Sequence, residues 1–271
     1  MATKRVVVLV DLSETSGKLL MFANDLAIES GIELWVVHQT FSFAPALGDA
    51  EIRSGIDLNS RREALKKLSA YVADAGVNGN HISYHVTTNN LDGAILNLKA
   101  MGPDDVIVVG VRAKGWLQRL LMQGTAVKLV NAVQNTIIAL PDVSGSQSLS
   151  KLYVAIKPDY PLNHEQLRNL ALLDGQSGKP IHFLSVPSSG EDTETLLRFL
   201  KSQCDIYGDI ASVSFEILPT GNTLSGIRQY MQDKEGMLVV QRGSRNFLDI
   251  FRKYFATDLI HDAQIPTIIL P

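Results

Sequence analysis

In this chain of 271 residues, three apolar runs end on residues that could do chemistry. Val6–Val10 runs into Asp11, Leu34–Val37 into His38 and Gln39, and Val106–Val109 into Gly110. Asp11 offers a carboxylate acceptor, His38 a titratable ring, and Gly110 a backbone with no side chain in the way. From Gly110 the chain reads GVRAKGWLQRLLMQGTAV, with glycines towards both ends and Thr125 opening a helix. Backbone N–H groups at such a loop and helix start can hold a phosphate, with Arg112, Lys114 and Arg119 adding positive charge. It is not a Walker A loop, because Trp116 stands where that motif requires Lys, and it is not GxGxxG. Taken alone, the segment suits either an anion site or a glycine-rich turn that only joins strand to helix.

Other constellations fail on geometry. His81 and His85 would suit a metal on a helix, but HISYHV reads as a strand, which separates them by about 13 Å. Asp104 and Asp105 precede a strand, at the end opposite the expected site, and read as a solvated turn. Cys204 sits in a helical pattern without a neighbouring His and reads as an inert thiol. No GxSxG or HExxH is present, so no catalytic constellation survives. Phe247, Phe251, Tyr254 and Phe255 form an apolar helical stripe, which suits core or an interface between halves.

The elements that position these residues alternate. VVVLV reads as a strand buried on both faces. A helix follows it, with Ser13 as the cap that accepts from first-turn amides and Gly31 as the left-handed stop. LWVV (34–37), Ile82–Val86, VIVVG (106–110) and TIIAL (136–140) are the further strands. Helices are expected at about 61–75, 94–100 and 121–132. Residues 41–59 read as a long loop at the ligand end, a lid or a packing element. This alternation predicts an α/β fold with doubly wound parallel sheets. Residues 142–150 read as a linker, after which LYVAI starts the pattern again. A shift of 131 residues lays VIVV (106–109) on MLVV (237–240) and Thr136-Ile137-Ile138 on Thr267-Ile268-Ile269, with the helix between them ungapped. The expectation is therefore two tandem five-stranded domains, 1–141 and 151–271.

VLVDLSE, a second strand ending VVH, and a fourth ending VVG before a basic glycine loop and a Gly-Thr helix start resemble the universal stress protein family. Two copies look like its tandem members. The resemblance implies an adenine nucleotide such as ATP, accompanied by Mg²⁺. Its phosphates would lie in a Gly-x2-Gly-x9-Gly-Ser/Thr loop, and its adenosine against the first-strand Asp and the backbone after strand 2. By position these are Asp11, Gln39, Gly110, Ala113, Gly124, Thr125, Ala126 and Val127. Ala113 departs from the family's second glycine, and one extra residue separates it from Gly124. In the second half Lys157 replaces Asp11, Gln241 replaces Gly110, Phe255 replaces Gly124 and Ala256 replaces Thr125. Only the first half is therefore expected to bind nucleotide. The second half's Arg242, Arg245, Arg252 and Lys253 read as a solvated basic face.

Composition narrows the class. The chain is 45% hydrophobic and 20% charged, with a net charge of -3, so neither a nucleic acid nor a membrane surface is an expected partner. One cysteine and no long apolar run point to a cytoplasmic protein. The reading is a non-catalytic stress-response binding or regulatory protein, its halves paired within the chain through their last strands and a further homodimer left open. The alternatives are an interaction or small-ligand module with both sites lost, and a slow ATP hydrolase. The hydrolase would need bound Mg²⁺ and a positioned water, and apart from Asp11 the loop region offers no obvious carboxylate.

Overall fold

Val6 to Val10 form most of β1 (Arg5–Val10), and each of these five side chains is at most 2% exposed. A strand covered on both faces needs an apolar residue at every position, which is why the run is continuous rather than alternating. The structure is a computed structural model, described over residues 4–40, 50–87, 102, 104–110, 133–141, 149–173, 178–187, 190–219, 223–243 and 265–271. The chain divides into two units, 1–135 and 136–271.

In the first unit, β1 is followed by α1 (Glu14–Ser30), β2 (Glu33–Gln39), α2 (Ala50–Asp74), β3 (Ile82–Thr87) and β4 (Val106–Gly110). The strands lie in the order β3-β2-β1-β4, every pairing parallel. Leu19, Leu20, Ala23, Leu26 and Ala27 give α1 its buried face, and Gly31 at φ 64° stops it, donating to Ala27 O and Ile28 O. That is the left-handed stop the sequence predicts.

The second unit contains β5 (Thr136–Leu140), β6 (Leu152–Ala155), α3 (His164–Ala171), β7 (Gly178–Ser185), α4 (Thr193–Tyr207), β8 (Ala211–Ile217), α5 (Thr223–Met231), β9 (Met237–Gln241) and β10 (Thr267–Leu270). Their order is β5-β10-β9-β6-β7-β8. All pairings are parallel except β5 with β10, which run antiparallel with Ile138 opposite Ile268. The sequence repeat puts β5 in the first half, whereas the structure groups it with the second unit. The fold is α/β with a mostly parallel sheet. Among the described residues no helix is long and apolar enough to cross a membrane.

Three expectations are corrected. The helix expected from about 61 begins at Ala50 instead, so half of the segment read as a loop is helical. From Ser54 to Arg62 every side chain is exposed or half-buried, so no apolar period marks that start; an Asp57–Arg61 pair at i,i+4 supports it. Asp105 is not a solvated turn residue. It is 1% exposed and held by Arg5, whose Nε and Nη2 donate to Oδ1 at 3.1 Å and Oδ2 at 2.7 Å. Ser13 stands at the N-cap but does not cap, because its hydroxyl is turned to Asp11. The helices expected at 94–100 and 121–132, loop residues 41–49, linker residues 142–148 and the stripe from Phe247 to Phe255 lie outside the described residues. Leu149, at the linker's end, is buried.

Candidate functional site

β1 has β2 on one side and β4 on the other, so the strand order reverses there. In an open α/β sheet ligands bind outside the carboxyl ends of the strands at this switch point. Asp11 follows β1, His38 and Gln39 close β2, and Gly110 closes β4. The register Val8 to Val108, continued by two residues, sets Gly110 beside Val10.

Asp11 loads a single oxygen. Its Oδ1 accepts from Ser13 N (3.0 Å), Ser13 Oγ (2.5 Å) and Ser16 Oγ (2.6 Å). Leu12, between them, is at φ 59°, the one non-glycine residue in the left-handed region among those described. That conformation costs about 1–2 kcal/mol, and the bonds from Ser13 and Ser16 back to Asp11, which span it, hold it. With Ser13 committed to Asp11, the first turn of α1 has no side-chain cap. Tyr71 of α2 donates to Ser13 O at 2.7 Å. Burial first, then the Asp11 charge, push this phenol up to about 12.

His38 Nδ1 donates to Val10 O at 2.9 Å, since a carbonyl can only accept. Nε2 is therefore the lone-pair nitrogen, as in a hydrogen-bonded structural histidine. Gln39 is buried and paired in register with Thr87. Among the described residues, a Cβ on Gly110 would meet only Leu19 Cδ2, at 3.7 Å. Ala113, Gly124, Thr125, Ala126 and Val127 lie outside the described residues. Ser16 and Tyr71 were missed by the sequence reading. Ser16 could have been found as a hydroxyl one helical turn beyond Ser13, but no spacing links Tyr71 to Asp11.

The second unit's switch point, between β6 and β9, is filled. Gln241 Oε1 accepts from Asn163 N at 2.9 Å, and Nε2 donates to Pro271 O. Asn163 also caps α3, accepting from Gln166 N. Lys157, in the place of Asp11, pairs with Glu191 at 3.8 Å. Ser185 Oγ donates to Ile156 O at 2.8 Å, the counterpart of the His38–Val10 bond.

The model of the universal stress protein family matches residues 2–141, half of the chain. The chain belongs to the universal stress protein family. No curated protein matches its sequence. Among solved structures it is similar to a universal stress protein from Archaeoglobus fulgidus DSM 4304 (TM-score 0.64, 14% identity, 99% of this chain and 96% of that one). It is also similar to a putative universal stress protein from Pseudomonas aeruginosa UCBPP-PA14 (TM-score 0.55, 12% identity, 99% and 93%). At such identities the likeness is one of fold. An Archaeoglobus fulgidus universal stress protein in complex with dAMP overlaps half the chain (TM-score 0.32, 20% identity, 51% and 98%).

Burial sets an acid limit on this universal stress protein. It holds His38, His85, His164 and His182 below the usual imidazole range. Unfolding releases them to take up protons near pH 6.5, so the unfolded state binds more protons just below that value. Stability is therefore expected to be full above about pH 6.5 and to fall as the pH drops towards the lowered values. Urea unfolding at about pH 7.5 and about pH 5.5 reads this, and equal stability at both would contradict it.

Proposed function

We propose that this universal stress protein is a tandem, non-catalytic stress-response binding protein that takes one adenine nucleotide, ATP with Mg²⁺, in its first unit only. The observation that carries this reading is the contrast between the two switch points. In the first unit Gly110 leaves the strand end without a side chain. In the second, Gln241 occupies that place and is tied to Asn163 and Pro271.

The donor set at the first switch point fits a nucleoside. Asp11 Oδ1 is saturated by serine donors. Oδ2 makes no hydrogen bond among the described residues, so it is available to a ribose hydroxyl or a base amine. Bound nucleotide would supply a polyphosphate for the glycine loop, with Mg²⁺ travelling on those phosphates. A cytoplasmic location fits the lone cysteine. The antiparallel pairing of β5 with β10 supports joining of the two repeats through their last strands.

Replacing Asp11 with alanine tests the contact. A charged hydrogen bond contributes about 1.5–3 kcal/mol, so ATP affinity should fall about 10- to 100-fold in a calorimetric titration. The variant should keep its fold, because Ser13 is released to cap α1. Unchanged affinity removes Asp11 from the site.

A further inference from the structure

The second unit carries a hydrogen-bonded chain that has no counterpart among the described residues of the first. The registers of β6, β7 and β8 set Tyr153, His182 and Ser214 side by side on one face of the sheet. Glu216 follows two residues along β8, an edge strand, and so lies on the same face. Tyr230 of α5 stacks on His182, with rings 5.9 Å apart and 1° from parallel. His182 Nδ1 is 2.7 Å from Ser214 Oγ, Tyr230 Oη is 3.0 Å from His182 Nε2, and Tyr230 donates to Glu216 Oε2 at 2.8 Å.

The protons follow from this geometry. Tyr230 has one hydrogen and gives it to the carboxylate, so it accepts from His182 Nε2. Nδ1 is then the lone-pair nitrogen, and Ser214 donates to it. Ser214 is exposed and His182 is 8% exposed, so an outward hydroxyl rests on an inward base. Burial, then Lys151, lower the His182 pKa, and Lys234 lowers it further against Glu216, which raises it. The ring is thus an unprotonated base at neutral pH. Burial leads the hydrogen bond to Glu216, the Glu216 charge and Tyr153 in pushing the Tyr230 phenol up to about 12, so that link keeps its proton. In the first unit the matching row reads Val7, Trp35 and Ser83, and Ser83 donates to Glu33 instead of a ring nitrogen.

We propose that Ser214 is a nucleophile that accepts acyl groups from esters, with His182 as its general base and Tyr230 and Glu216 as positioning residues. Oγ adds to the ester carbonyl carbon while its proton passes to Nδ1. The C–O bond to the alcohol breaks, and the leaving oxygen takes the electron pair and then the proton from the imidazolium. The products are an acyl-serine and a free alcohol.

The test is incubation of the full chain with p-nitrophenyl acetate, followed by peptide mass spectrometry. Ser212, exposed two residues away on the same strand, is the internal control. A general base contributes about 10²-fold or more, so Ser214 should be acetylated about 10²-fold faster than Ser212. Its rate should fall as the pH drops through the lowered His182 pKa, which lies under the ordinary imidazole range. Glu216→Gln and Tyr230→Phe, which leave the sheet face packed, should each slow Ser214 about tenfold and leave Ser212 unchanged. Equal rates at Ser214 and Ser212, or a Ser214 rate indifferent to pH and to both variants, overturn the proposal.

Discussion

Replacing Asp105 with alanine is expected to destabilise the first unit by about 3–5 kcal/mol, the range for a buried pair that loses one partner. The side chain of Asp105 is wholly buried, and that of Arg5 is 17% exposed. Oδ1 and Oδ2 take both forks of the guanidinium, and Oδ2 also accepts from Gly102 N at 2.8 Å. The guanidinium lies 4.0 Å from the centre of the Trp35 ring, so it cannot turn out to water without leaving that face. Alanine strands the cation and orphans the Gly102 amide. Urea unfolding reads the loss in the transition of the first unit, and a loss below about 1 kcal/mol would mean the pair is no more than a surface bridge.

Replacing Gly110 with glutamine should copy the second unit's plug into the first and lower ATP affinity by at least about 100-fold, about 2.7 kcal/mol. The substitution carries little strain, since Gly110 is not in the left-handed region and its nearest obstacle among the described residues is a flexible Leu19 methyl at 3.7 Å. The glutamine would sit beside an α1 first turn that lacks a side-chain cap. In the second unit Gln241 bonds at the matching place to the N-cap residue of α3. Stability should therefore hold while binding is lost, which separates a blocked site from a misfolded one.

The strands were legible because their burial is complete. VVVLV and VIVV are apolar at every position and TIIAL at all but its buried first residue, Thr136, and the 131-residue shift aligned β4 with β9 and β5 with β10. The contrast between Gly110 and Gln241 was legible too, although not the bonds that hold Gln241 in place. Asp105 was misread because it precedes a strand at the end opposite the expected site, and its partner Arg5 lies 100 residues away. Ser13 was misread because a cap and an Asp11 partner compete for one hydroxyl, and local pattern does not rank them. The start of α2 is hidden because its first turns face water. Antiparallel pairing of β5 with β10 leaves no mark in either strand's own sequence.

Calorimetric titration of the whole chain with ATP and Mg²⁺ distinguishes one working nucleotide site from two or none. Saturation is expected at one equivalent in the native chain, with no binding heat in Gly110→Gln. Saturation at two equivalents, or binding that survives Gly110→Gln, would contradict it. So would no heat at millimolar ATP in the native chain, which would leave an interaction protein with both sites closed.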